Sequence, residues 1–166
     1  MINRLPGSPG SRVDATTTIR FSFEGRSYQG LAGDTIASAL AANGVWVLSR
    51  SFKYHRPRGI LSLAGHDANT LVQLPDEPNV CADLRPIAEG LEVRAKNVNG
   101  TLARDRDALV GLLGRFLRPG FYYAAFYKPR GAWRFWEPFI RKKAGLGRLN
   151  LEAVEHRHSD KQFLFF

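Results

Sequence analysis

Residues 49–74 read SRSFKYHRPRGILSLAGHDANTLVQL, and the rest of the chain is organised around them. The stretch opens on a dense basic run of Arg50, Lys53, His55, Arg56 and Arg58. Pro57 has a fixed φ and no N–H, which stops any helix, and Gly59 frees the backbone to turn. Small residues follow as a loop and lead into the apolar pair Leu71 and Val72.

The loop has the arrangement of one that wraps an iron–sulfur cluster, with the ligands taken out. Plant-type loops of that kind use cysteine thiolates spaced C-x4-C-x2-C, with a further one downstream. Ser62, Asp67 and Thr70 hold the three positions at that spacing. None is a soft anionic sulfur, so this reading expects no 2Fe-2S cluster and no metal.

Upstream, residues 17–24 alternate, with Ile19, Phe21 and Phe23 on one side and Arg20, Ser22 and Glu24 on the other. That is the period of a half-buried strand. Glu24, Gly25 and Arg26 supply a turn, with Gly25 suited to a positive φ. Residues 27–30 return as a second strand with Tyr28 inward. Asp34 or Thr35 caps a helix whose apolar face is Ile36, Ala37, Leu40 and Ala41. Asn43 and Gly44 end that helix. Residues 45–48 then form a short buried strand, and 71–74 and 91–95 add later ones, with a turn over 75–79. Hairpin, helix, strand is the opening of an α+β, β-grasp (ubiquitin-like) fold.

The chain has 166 residues, enough for one domain plus an extension, and its 44% hydrophobic content supports a core. The predicted organisation is an extended, Pro- and Gly-rich arm over 1–16, a β-grasp domain over 17–97, and a helical, aromatic, basic extension over 98–166. A domain of about 80 residues gains only marginal stability from a single core, so it is expected to lean on its extension or on another subunit. Residues 1–9 contain no apolar run, and a signal peptide is not expected. No stretch approaches the roughly 18 apolar residues of a membrane span. The single cysteine, Cys81, excludes an internal disulfide and suits a reducing cytoplasm.

Net charge is +9, and the pI is about 10.2. Such an excess implies an acidic partner, a phosphate-bearing cofactor or nucleic acid, or else a solvated surface. Downstream of a linker over 97–101, helical spacing returns over 102–117, with Leu109, Leu112, Leu113 and Phe116 on one face. Gly111 and Gly114 each weaken that helix by roughly 1 kcal/mol relative to Ala. Then Phe121, Tyr122, Tyr123, Trp133 and Trp136 interleave with basic residues. Aromatics with arginine compose large protein interfaces, and also single-strand nucleic-acid grooves. Prolines and two glycine pairs leave no flat stacking platform, which favours core or subunit interface over nucleic acid.

Other motifs carry little. Gly145, Gly147 and Asn150 begin like G-x-G-x-x-G, but the third glycine and the preceding strand are both missing. His156 and His158 lack a third metal ligand. His66 and Asp67 are adjacent, which is not a triad.

RSFKYHRPRGI followed by AGxxxNxLV resembles the amino-terminal segment of the alpha subunit of heterotetrameric sarcosine oxidases, within the ferredoxin-like domains of amine-oxidising flavoprotein complexes. The resemblance extends through Gly120 to Tyr123, Trp133, Glu137, Ile140, Arg141 and residues 144–147. Relatives such as the small subunits of hydrogen cyanide synthase and of hydroxyproline or opine dehydrogenases keep the cysteines and the cluster. By resemblance the fourth cluster position falls at Asp83, two residues after Cys81. The glycine-rich dinucleotide fingerprint that follows in the family is missing after His158, Ser159 and Asp160.

The resemblance implies a structural or assembly part of an oxidoreductase that demethylates sarcosine or a related secondary amine. FAD, FMN, NAD and tetrahydrofolate would be distributed over the whole complex, with no catalytic residue on this chain. The implied partners are the remaining alpha-type chain and the flavin-bearing beta-type chain, with no membrane. Arg50, Lys53, Arg56 and Arg58 form the candidate site, for a phosphate or for an acidic partner face. The alternatives are a small 2Fe-2S electron-transfer subunit of an amine, opine or hydroxyproline dehydrogenase, and a basic nucleic-acid-binding module.

Overall fold

The computed structural model describes Arg4, residues 12–111 and residues 130–144. Strands β1 (Asp14–Phe23) and β2 (Arg26–Ala32) form a hairpin, followed by helix α1 (Ile36–Ala42). Strands β3 (Val47–Arg50), β4 (Pro57–Gly59), β5 (Leu71–Gln73), β6 (Val80–Cys81) and β7 (Leu91–Ala95) come next. A 3-10 helix, Arg106–Gly111, and helix α2 (Trp133–Ala144) close the described part. Five strands make one sheet in the order β2-β1-β7-β5-β6, and β3 and β4 make a separate pair. β1 and β7 run parallel at the centre, while β5 is antiparallel to both its neighbours. The molecule is a small mixed α/β domain with a sheet.

The alternation of β1 does what period-two patterning requires. Phe21 and Phe23 are buried and Ile19 packs against the same cluster, while Arg20 is exposed. Fully burying such a side chain contributes roughly 1.5–3 kcal/mol. The hairpin turn has positive φ at both central residues, Glu24 and Gly25, which matches the twist of the flanking strands. Glu24 uses that position: its carboxylate accepts from the Ala95 N–H at 2.6 Å, tying the turn to β7.

Helix α1 lies over the sheet with Ile36, Ala37, Ala39 and Leu40 buried. Of the two expected caps, Thr35 is the one used, in a reciprocal capping box with Ser38. Asp34 instead accepts from the Leu31 N–H at 2.8 Å and is paired with Arg4, so part of the expected arm is fastened to the domain.

Four expectations differ from the structure. The buried strand expected over 45–48 lies instead at Val47–Arg50, with Trp46 and Val47 exposed. β1 begins at Asp14, inside the expected arm. β4 is a strand where only a helix stop is expected, since Pro57 sits on the outer strand of its pair and needs no N–H. The helix expected from residue 102 is absent over 102–105. A 3-10 helix, Arg106–Gly111, takes its place, with Leu109 exposed rather than on a buried face. The rest of that expected helix, with Leu112, Leu113 and Phe116, lies outside the described residues. Among the described residues no helix is long and apolar enough to cross a membrane.

Candidate functional site

The basic run is split by the β3–β4 hairpin, in which Arg50 faces Pro57 and Ser49 faces Arg58. The turn between them is closed by its own hydrogen bonds. Ser51 N–H donates to the Arg56 carbonyl at 2.9 Å, and His55 N–H donates to the Ser51 carbonyl at 3.0 Å. The Arg56 N–H donates to Ser51 Oγ at 3.0 Å. His55 completes the turn in the left-handed region, at φ 50°.

Arg50 is turned inward. Its guanidinium donates to the Leu102 carbonyl through Nε and Nη2, at 3.2 and 2.5 Å, and to the His55 carbonyl at 2.6 Å. The buried Asp105 carboxylate lies 3.6 Å from Nε and 2.8 Å from His55 Nδ1. This Arg50–Asp105–His55 cluster fixes the hairpin to the segment after β7. Sequence reasoning missed Asp105 and the role of His55, because no local pattern joins residues fifty positions apart.

Lys53, Arg56 and Arg58 point the other way and line one open cavity of about 630 Å³, together with Phe52, Tyr54, Leu61 and Asn69. The Arg56 guanidinium lies 4.9 Å from the Tyr54 ring centre and Lys53 Nζ lies 4.7 Å from it, so both cations are attracted to the ring face. Arg58 Nη1 donates to Asn69 Oδ1. The structure thus brings three of the four candidate residues together.

The positions at cluster-loop spacing also converge. Asp67 is buried, and its Oδ2 accepts from the N–H groups of Leu61 and Ser62 at 2.7 and 3.0 Å. Its Oδ1 accepts from the Asn69 N–H at 2.8 Å. The Asp67 N–H in turn donates to Asp83 Oδ2 at 2.8 Å, and Thr70 Oγ1 donates to the Asp67 carbonyl at 3.1 Å. Burial pushes the Asp67 pKa up, but the N–H donors of Leu61, Asn69 and Ser62 outweigh it and leave the carboxyl below its ordinary value. The loop therefore folds around a carboxylate, with Leu61, Leu63 and Leu84 exposed beside it.

Of the interface aromatics, Phe121, Tyr122 and Tyr123 lie outside the described residues, as do His156 and His158. Trp133 and Trp136 are on α2 and partly exposed, and Trp136 meets Phe139 edge-on at 6.3 Å. Cys81 is half-buried in β6, paired with Leu71.

Residues 16–98 match the 2Fe-2S iron-sulfur cluster binding domain family, and the chain belongs to that family. It is similar to sarcosine oxidase subunit alpha of Rhizobium meliloti (strain 1021), 49% identical over 146 residues, covering 85% of this chain and 15% of that protein. Sarcosine oxidase subunit alpha of Corynebacterium sp. (strain P-1) is 30% identical over 121 residues, covering 72% of this chain and 12% of that one. The chain thus spans about 15% or less of the length of these curated relatives. A crystal structure of L-proline dehydrogenase from P. horikoshii aligns with 48% of this chain and 16% of that chain, at a TM-score of 0.42 and 19% identity. The mixed α/β sheet is compatible with a 2Fe-2S ferredoxin-like fold.

The family match corrects one expectation. The cofactor reading took the chain out of cluster chemistry, whereas its family is described as 2Fe-2S cluster binding. The donor set does not match four thiolates: Ser62, Asp67, Thr70 and Asp83 stand at the loop positions and Cys81 is the single cysteine. One orphaned atom, Asp83 Oδ1, is buried there without a hydrogen-bond partner. Among the described residues no group of three or more His, Cys, Asp or Glu could hold a metal ion.

Proposed function

We propose that this chain is an assembly part of a sarcosine oxidase-like flavoprotein complex, one that oxidatively demethylates sarcosine or a related secondary amine. The observation that carries the reading is 49% identity over 85% of the chain to a sarcosine oxidase alpha subunit of which it spans only 15%. Partners are then the remaining alpha-type and beta-type chains, FAD, FMN, NAD and tetrahydrofolate belong to the whole complex, and the location is cytoplasmic. The sheet is read as a β-grasp over 17–97, supported by the hairpin, the crossing helix and the central parallel pair. The residues before β1 are then the lead-in, and 98–166 the aromatic extension toward the partner.

Exposed Trp46, Leu61, Leu63 and Leu84, with Arg56 and Arg58 beside Leu61, supply an apolar surface with a basic rim, the make-up of a docking face. Co-expression with sarcosine oxidase alpha- and beta-type chains, followed by size measurement and flavin analysis, tests the proposal. Co-purification is expected, and the double charge reversal R56E/R58E should abolish it or strip the flavin. Unchanged assembly and flavin content in that variant removes the docking role, and failure of the native chain to associate removes the proposal.

The family description favours a second reading, a small electron-transfer subunit that carries the cluster. Iron and acid-labile sulfide in the purified chain, with the visible absorption of such centres, would support it. A preparation lacking both would eliminate it.

A further inference from the structure

We infer that the recess lined by Lys96 and Arg58, where the end of β7 meets the β3–β4 hairpin, binds a tetrahedral oxyanion of phosphate type, either free or at the end of a small ester. The cavity holds about 240 Å³, below the roughly 300–1,000 Å³ of sites for larger organic ligands, so it suits a small anion. Ser49, Ser51, Asn69 and Asn97 line it beside the two cations, and no Asp or Glu is among its described lining residues. Arg50 also borders it, but its charge is answered by Asp105. Among the described residues neither Lys96 nor Arg58 has a carboxylate partner. Like charges gathered in one recess without a counter-charge raise the local potential for an anion.

Backbone pairing builds the recess. Ser49 pairs with Arg58 across the hairpin and forms a parallel bridge with Lys96 on its other side. Residues paired in this way put their side chains on one face, so two long cations flank a short serine and leave space above it. The row is fixed before any ligand arrives. The Lys96 carbonyl accepts from the Arg50 N–H at 3.0 Å, and Asn97 Nδ2 donates to the Arg50 carbonyl at 2.9 Å. Arg58 spends one donor on Asn69 Oδ1 and keeps the rest of its fork, which matches phosphate oxygens two at a time. Ser51 Oγ accepts from the Arg56 N–H and has its own proton left to donate. Lys96 is partly buried, and burial holds its ammonium below the ordinary lysine pKa with no neighbouring acid to offset it. A partly desolvated cation in that state gains from an anion that enters beside it, and donors fixed in advance lower the ordering cost of binding.

The inference concerns this chain alone and needs no partner, so its failure and that of the assembly reading are distinguishable. The 166-residue chain, in buffer free of phosphate, is titrated calorimetrically with inorganic phosphate, glycerol phosphate and acetate at matched ionic strength. Its melting temperature is followed in parallel. Phosphate is expected to bind saturably and more tightly than acetate, and to raise the melting temperature, since a ligand held only by the folded chain stabilises it. Glycerol phosphate binding at least as tightly as phosphate supports an ester end as the ligand, and weaker ester binding supports the free ion. Lys96→Met should weaken phosphate about tenfold or more, the scale of one charge-assisted hydrogen bond, and Arg58→Gln should do the same. An unchanged circular dichroism spectrum shows that the variants fold. Acetate binding as tightly as phosphate, or the absence of saturable binding to the native chain, overturns the proposal. A phosphate-dependent rise in melting temperature that persists undiminished in Lys96→Met also overturns it.

Discussion

Asp105 and Asp67 hold the two ends of residues 49–74, and they do so by different means. Asp105 divides its oxygens: Oδ1 takes the nearby N–H groups of Asn99 and Asp107, while Oδ2 sits against the side chains of Arg50 and His55, both of which have left the basic run to face inward. Asp67 works on the backbone, collecting three N–H groups from within six residues on either side. The first contact joins positions fifty residues apart and makes the hairpin depend on the segment after β7. The second is local and gives the loop a shape of its own. The contrast teaches that a buried carboxylate shapes only its own loop when all its donors are local, and adds long-range docking when one oxygen is left for remote side chains.

The contrast should break most visibly at Asp105. Asp105→Ala leaves a buried histidine and a largely buried arginine without their anion, which typically costs about 3–5 kcal/mol. A urea titration should show the midpoint falling, and adding His55→Ala to that variant should cost much less than His55→Ala alone. Additive costs would mean that the two side chains do not act together.

A smaller loss is expected at the loop. Asp67→Asn keeps an acceptor but turns charge-assisted hydrogen bonds into neutral ones, at a cost of about 2–3 kcal/mol. This end also carries a pH signature. The folded-state pKa of Asp67 is lowered, so its contribution is complete above the unfolded-state value of about 3.9 and is lost as pH falls through the folded-state value. Stability of the native chain should therefore decline below about pH 4 more steeply than that of Asp67→Asn. Parallel acid limbs would show that Asp67 does not hold the loop.

The smallest effect lies outside both ends. Thr35→Ala removes one half of the capping box on α1 and should cost about 1 kcal/mol, with the pH dependence unchanged. A pH-dependent loss there would mean that Asp34 and its neighbours carry more of the helix start than Thr35 does.

Period and capping made much of the domain readable in advance. Ile19, Phe21 and Phe23 alternate because one face of β1 meets the core, and Thr35 begins α1 because its side chain reaches the free N–H of Ser38. The 3-10 helix was less accessible. Asp105 binds the N–H groups of Asn99 and Asp107, a local arrangement that competes with an α-helical start and is not visible in apolar spacing. Within the candidate site, the convergence of Lys53, Arg56 and Arg58 followed from their closeness in sequence. The inward turn of Arg50 did not, since its partner is remote. Asp67 stands at a cluster-loop position, and that spacing does not show it as a backbone anchor. Its neighbour Asn69 carried the missing signal, because Asp followed two residues later by a backbone N–H donor is the pattern of an Asx turn.

The convergence of the Leu61, Ser62 and Asn69 amides on one carboxylate makes the loop its own spectroscopic indicator. In a nuclear magnetic resonance titration those amide signals should shift together with a single midpoint, that of Asp67. Any ligand, metal or neighbouring chain that reshapes the loop would then register at these three signals at once, without a label being attached.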